Sequence, residues 1–447
     1  MQIQILLPLS LALMAGLLMT RVFKKLGWNF PDVTAFLIAG LAIGPYGLGS
    51  VGVTGIGFST FAELSAVGVL TDAALGFIAF AIGNEFRLSQ LRHTGRAAVI
   101  IGIAQACAAT LCVDAALIAI HFWLGADVLP LPVAITLGAI ASATAPAATL
   151  MVVRQYKAKG PLTDLLLPIV ALDDAVGLVL FAVSFGVAMA LKGGSLNVWS
   201  IVFNPLAEIV WSLTLGSVLG WLLTQIEKLF FSNSNRLSMT ICFVILTIAL
   251  SSLSFPLGPL TVSASPLLVC MMLGTMFCNL SEFSFDIMGR ADQWTAPLFA
   301  TFFVLSGAEL DLSVFTEGLA VVIGLVYILF RSLGKYYGTW ISCALTGCGD
   351  TVRRYLGITL LPQAGVALGM CATASRLGGS DATLLRNLVL FSVLIYELTG
   401  PVMTQRALAA AGEIKPLEDE KKTRDRFYAK WLQKKIEQTN EYYQSGK

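Results

Sequence analysis

The sequence predicts an all-α, polytopic membrane protein of about thirteen transmembrane helices, arranged as inverted-topology repeats with two broken, crossing helices. Three observations predict it. Of 447 residues, 56% are hydrophobic and 13% charged, against about a quarter charged in soluble domains, and mean hydropathy is +0.79. Apolar stretches of spanning length recur along the chain. Pairs of distant segments look alike yet run in opposite directions. So few charges cannot cover a water-facing surface, which excludes cytosolic enzymes, nucleic-acid binders and secreted disulfide scaffolds. A net charge of +2 is too small to indicate a polyanion partner. The eight cysteines form no CxxC pair and mostly lie in apolar runs, so they read as packing residues.

A spanning helix needs about 20 mostly apolar residues. That template places spans near 3–22, 31–49, 61–82, 97–123, 129–153, 161–191, 197–224, 237–255, 260–280, 293–312, 317–345, 355–375 and 387–409. The first has no basic residues before its apolar stretch and three following that stretch (Arg21, Lys24, Lys25), so it reads as a retained helix rather than a signal peptide. With the N-terminus outside, the cytoplasmic loops hold fourteen cations: Arg21, Lys24, Lys25, Arg87, Arg92, Arg96, Arg154, Lys157, Lys159, Lys228, Arg236, Arg290, Arg353 and Arg354. The external loops hold three, Lys192, Arg376 and Arg386. This is the positive-inside pattern, and it puts the C-terminus in the cytoplasm.

The third span ends Gly83-Asn84-Glu85-Phe86-Arg87-Leu88-Ser89 and the tenth ends Gly307-Ala308-Glu309-Leu310-Asp311-Leu312-Ser313. Both read G-x-E-x-x-L-S, but the third span runs inward and the tenth outward. An offset of seven spans makes an inverted repeat. It pairs the fifth span with the twelfth, and each has a proline in a small, polar-interrupted run. These runs are Ala141 to Thr149, with Ser142, Thr144 and Pro146, and Leu361-Pro362-Gln363-Ala364-Gly365. A proline removes a backbone donor and frees a carbonyl one turn earlier. Matching positions in two repeats predict broken helices whose freed groups meet at mid-membrane and line an ion site.

Asp173 and Asp174 lie side by side within an apolar span, between Ile169-Val170 and Val179-Leu180. Packing does not call for two anions in hydrocarbon, so a functional role is the default. Consecutive helix residues point about 100° apart. One acid can therefore face the gap between the broken helices while the other meets a cation. Arg331 and Lys335 share a face of the eleventh span, four residues apart, and either fits as that cation. Two close carboxylates in a low-dielectric cavity oppose each other's ionisation. A carboxylate in that setting binds a proton or a small hard cation, one at a time. Competition for one site presented alternately to two sides is cation–proton exchange. The expected ligand of the transient cation is Asp174, with Asp173 its charge-paired neighbour. Thr144, Ser142 and freed carbonyls would add oxygens.

Several runs resemble the second cation–proton antiporter family. They are Lys25-Leu26-Gly27-Trp28, Phe36 to Gly40, Gly44 to Gly49, Ala141 to Leu150, Leu172-Asp173-Asp174, Phe302 to Glu309, Arg331 to Lys335, Pro362 to Gly365 and Tyr396 to Pro401. The resemblance covers nearly all of residues 1–410. It implies the thirteen-helix sodium/proton antiporter fold, a homodimer in the cell's inner membrane, and a core domain that moves against a dimerisation domain. Scaffold helices would fill 1–95 and 231–315 and core helices 96–192 and 316–410. Residues 193–230 would form a linker helix and 411–447 a charged cytoplasmic tail. In similar antiporters the second acid carries the ion and the first pairs with a base of the eleventh helix. The Asp-Asp pair implies electrogenic exchange. Many relatives have an Asp before the proline of the fifth helix where this chain has Ala145, which leaves Na⁺, Li⁺ and K⁺ all open. No cofactor is implied. Some potassium-efflux relatives carry a nucleotide-binding regulatory domain. Here the tail from Lys415 has no G-x-G-x-x-G and instead places Phe427, Tyr428, Trp431 and Leu432 on one helical stripe.

Three rival readings stand beside antiport. A sodium-coupled organic-anion symporter of related fold needs no buried acid pair. A channel needs no competition for one site. An intramembrane aspartyl protease would use Gly347-Cys348-Gly349-Asp350, but Asp350 sits at a span end without a mid-helix Tyr-Asp partner. His93 and His121 read as ordinary loop and span-end residues. Asp72 in the third span has a place open to it at the seam between the fixed and moving domains, and no role is assigned to it.

Overall fold

The computed structural model describes residues 2–414 except 27–29, 52–56, 85, 87, 193–197, 254, 258–259, 263, 311, 313–317 and 375–376. The tail from Lys415, Glu85, Arg87, Asp311 and Ser313 of the repeated motif, and Arg87 and Arg376 of the charge pattern lie outside the described residues. Sixteen α-helices follow in order: α1 (Gln2–Lys25), α2 (Asp32–Ile43), α3 (Phe61–Ser65), α4 (Gly68–Asn84), α5 (Leu88–Leu124), α6 (Leu131–Ile140), α7 (Pro146–Gln155) and α8 (Pro161–Leu191). The second half holds α9 (Val198–Glu227), α10 (Asn233–Ser251), α11 (Pro266–Leu280), α12 (Ser284–Ala308), α13 (Gly318–Leu345), α14 (Asp350–Thr359), α15 (Gly365–Ala374) and α16 (Gly379–Ala410). Among the described residues, eight helical segments are long and apolar enough to cross a bilayer by length and composition. The ninth stretch, 260–280 by hydropathy, is helical only from Pro266. Its start instead forms strand β2 (Leu260–Val262), antiparallel to β1 (Phe255–Leu257).

Both expected breaks are present. The helix of the fifth stretch stops at Ile140 and restarts at Pro146, which takes the first helical position, where its missing N–H costs nothing. The twelfth stops at Thr359 and restarts at Gly365, with Pro362 between.

The inverted repeat is visible in how backbones touch. A Cβ on Gly83 of α4 would strike the backbone of Met271 in α11, and one on Gly274 of α11 would strike that of Phe80 in α4. At the crossing related to it by the repeat, a Cβ on Gly307 of α12 would strike the backbone of Leu37 in α2, and one on Gly40 of α2 that of Val304 in α12. Each crossing uses one glycine per helix, and each glycine lies three residues after the residue of its own helix that the opposite glycine meets. Small residues permit such close approach, and packing rather than hydrophobicity holds helices together in lipid. Gly334 and Gly338 of α13 do the same against Ala108, Ala109 and Gln105 of α5.

Three apolar clusters result. The largest joins α1, α2, α4 and α9 to α12, with a few residues of α7 and α8. A second joins α5, α6, α8, α13, α15 and α16. A third joins α5, α7, α8, α13, α14 and the end of α16.

Polar contacts fasten α8 to α16 at both ends. Lys192, just after α8, pairs with Asp381 in the first turn of α16 at 2.7 Å and donates to the Leu377 carbonyl at 2.7 Å. Glu413, just after α16, accepts the Leu162 amide at 2.6 Å and the Thr163 amide at 2.8 Å, both in the first turn of α8. The Thr163 hydroxyl adds a bond at 2.6 Å. An acid accepting first-turn amides acts as an N-cap, which is worth about 0.5–2 kcal/mol. Glu413→Ala is therefore expected to destabilise the purified protein by about that amount in thermal unfolding, and Glu413→Gln by less.

Candidate functional site

The two breaks cross each other. The Ala145 amide donates to the Pro362 carbonyl at 2.8 Å, joining the non-helical segments directly. A helix that stops in hydrocarbon leaves carbonyls without partners, and here cations of α13 take them. Arg331 donates from Nε to Ala141 O at 3.0 Å and from its terminal nitrogens to Ala143 O at 2.6 Å and Leu361 O at 2.7 Å. Its guanidinium also lies 4.4 Å from the centre of the Tyr396 ring. The Gln363 amide nitrogen adds a bond to Ile140 O at 2.9 Å and one to the Tyr327 hydroxyl at 3.0 Å.

Lys335, one helical turn further along α13, is the cation that meets the acidic pair. Its Nζ lies 3.1 Å from Asp173 Oδ2, with both side chains fully buried, and it donates to Ser142 O at 2.7 Å and Thr144 Oγ1 at 3.3 Å. Asp173 also accepts from the Thr144 hydroxyl and from Gln105 Nε2 of α5. Both of its oxygens are thus engaged.

Asp174 differs. It is only 6% exposed, and its Oδ1 has no hydrogen-bond partner. It lines a cavity of about 270 Å³ bounded by Ala145, Pro146, Gln363 and Gly365, that is, by the N-terminal ends of α7 and α15. Helix N-termini carry partial positive charge and favour an anion.

The family model for the transmembrane sodium/hydrogen exchanger matches residues 9–410. The chain belongs to the sodium/hydrogen exchanger family. It is accordingly a secondary antiporter that exchanges protons for a monovalent cation across a membrane it crosses several times, and not an enzyme. Among solved structures, the sodium proton antiporter MjNhaP1 from Methanocaldococcus jannaschii at pH 8 shares its fold. The TM-score is 0.62 at 18% identity, covering 91% of the exchanger and 94% of that chain. An electron-microscopy structure of the same antiporter gives a TM-score of 0.67 at 17% identity, covering 91% and 98%. No curated protein matches the exchanger in sequence.

Of the residues expected at the site, Asp173, Thr144, Lys335 and the Ser142 carbonyl form one buried network, while Asp174, Pro146, Pro362, Gln363 and Gly365 line the cavity. The Ser142 hydroxyl turns back to Ala139 O at 2.7 Å, and Arg331 bridges the breaks rather than pairing with an acid. Sequence reasoning missed Gln105. Its only signal is an amide amid the apolar residues of the fourth span. Asp350, the acid of the protease reading, is exposed in the first turn of α14.

Proposed function

We propose that the exchanger works by alternating access at Asp174, which holds either a proton or a monovalent cation. The observation that carries this reading is the asymmetry of the acidic pair. Asp173 is saturated by Lys335, Thr144 and Gln105, whereas Asp174 keeps an unpartnered oxygen beside a cavity. A buried carboxylate with neither cation nor donor is costly. A proton or a cation removes that cost, and the two compete for the same oxygen. Lys335 offsets the charge of Asp173, so that one carboxylate remains for the ion. The Thr144 and Ser142 oxygens act through this network and hold the pair in place.

The same reading has thirteen crossings in the cell's inner membrane, N-terminus outside and C-terminus cytoplasmic, on the strength of the fourteen-to-three distribution of cations. Core helices in 96–192 and 316–410 move against scaffold helices in 1–95 and 231–315, with a linker helix in 193–230. The separate apolar clusters support this division. It includes a homodimer and takes Na⁺ as the first cation, ahead of Li⁺ and K⁺, in a cycle that needs no nucleotide or cofactor.

The test is transport in inverted vesicles with an acidified lumen. Adding the transported cation should raise lumenal pH, and clamping the membrane potential reads out whether charge moves. No pH response to Na⁺, Li⁺ or K⁺ would return the symporter and channel readings to the front.

A further inference from the structure

We propose that Glu397 is a second cation-holding carboxylate, a station between the rim of the cavity and Asp174; this rests on Asp174 as the ion site. Glu397 lies in the middle of α16, and it and Asp174 are the only ionisable side chains among the residues lining the cavity. Among the described residues, Glu397 makes no hydrogen bond or ion pair. Its neighbour Tyr396 points elsewhere, with its hydroxyl 2.8 Å from Ile328 O and 2.8 Å from Ser332 Oγ. No structural partner accounts for an acid here, and a mid-span acid is otherwise a burden on the fold.

Its charged neighbour is another anion. Glu397 and Glu309 interact electrostatically, as do Glu309 and Asp72. Asp72 of α4 and Glu309 after α12 are exposed, Glu397 is half-buried, and Asp174 is nearly closed off. Asp72, Glu309 and Glu397 thus form an electrostatically linked series, and Glu397 shares its cavity with the unpartnered oxygen of Asp174. Clefts of one charge with low-dielectric walls focus the field and concentrate counter-ions. The ligand fitting this path is a small, partly dehydrated monovalent cation, handed from carboxylate to carboxylate. Asp72 and Glu309 belong to helices of the largest apolar cluster, whereas α16, which carries Glu397, contributes its buried apolar residues to the other two. Relative movement of these units would therefore break the step between Glu309 and Glu397.

The test is cation-dependent exchange in proteoliposomes of the full chain, with KM and Vmax measured separately. Glu397→Gln should raise KM for the transported cation about five-fold or more while keeping Vmax within about two-fold, and Glu397→Asp should restore most of the affinity. A purely structural residue would lower Vmax and thermal stability instead, and that result would overturn the proposal. Glu309→Gln, at an exposed position, tests the path without a folding risk and should raise KM by a smaller factor. Unchanged KM in both Gln variants, with Asp174→Asn inactive, sinks the station and spares the site. Normal exchange by Asp174→Asn sinks the site itself.

Discussion

Asp174→Asn is expected to abolish the cation-driven rise of lumenal pH in inverted vesicles, with the protein still inserted and folded. Asn matches Asp in size, so the cavity wall is unchanged. It cannot release a proton, however, and its neutral amide is a far weaker ligand for a cation than a carboxylate. Both halves of the competition disappear together. Folding should survive because Asp174 gives no hydrogen bond to the fold through Oδ1. The neighbouring variant should behave in the opposite way. Asp173→Asn strands Lys335 as a buried charge, and breaking one partner of such a pair costs about 3–5 kcal/mol. Asp174→Asn should thus keep its thermal stability and lose transport, while Asp173→Asn loses stability first. Wild-type transport by Asp174→Asn would end this account.

Arg331→Met should produce the largest loss of stability. The methionine fills much of the same volume but leaves the Ala141, Ala143 and Leu361 carbonyls without donors. Each buried group left unsatisfied costs about 1–3 kcal/mol, so the total is several kcal/mol at the point where the two broken helices meet. Arg331→Lys should recover only part, since an ammonium cannot reproduce the planar fork that reaches both segments. Thermal unfolding of the purified protein, with hydrogen exchange at residues 141–145 and 360–364, would measure this. A melting temperature unchanged by Arg331→Met would mean that the breaks hold each other without the guanidinium.

The membrane class, the two breaks and the acidic pair could be read from sequence because each rests on a local signal: hydropathy, proline and misplaced charge. The partner of Asp173 could not. Arg331 and Lys335 share one helix face, and the choice depends on the depth at which Ala141, Ala143 and Leu361 present their carbonyls, which is a property of two loops about 200 positions apart along the chain. Gln105 was hidden for the same reason, since its bond to Asp173 joins separate helices. Glu397 was recognisable as an acid in a span, but its cavity is assembled from distant helices. The strand pair Phe255–Leu257 and Leu260–Val262 escaped because a short apolar run fits strand and helix equally well. The repeat was suggested by the G-x-E-x-x-L-S match, yet its firmer sign is the paired glycine contacts, which no pairwise reading of that motif contains.

The double fastening of α8 limits how ions can be carried. Each end of the carboxylate-bearing helix is held by the opposite end of α16, through Glu413 on one side and Lys192 on the other. Sliding α8 along its axis by one turn, about 5.4 Å, would tear both attachments at once. A tilt of the pair together strains neither. In the proposed cycle the cargo would therefore travel like a passenger in a closed carriage: its seat would stay fixed to the frame, and the whole frame would swing between platforms.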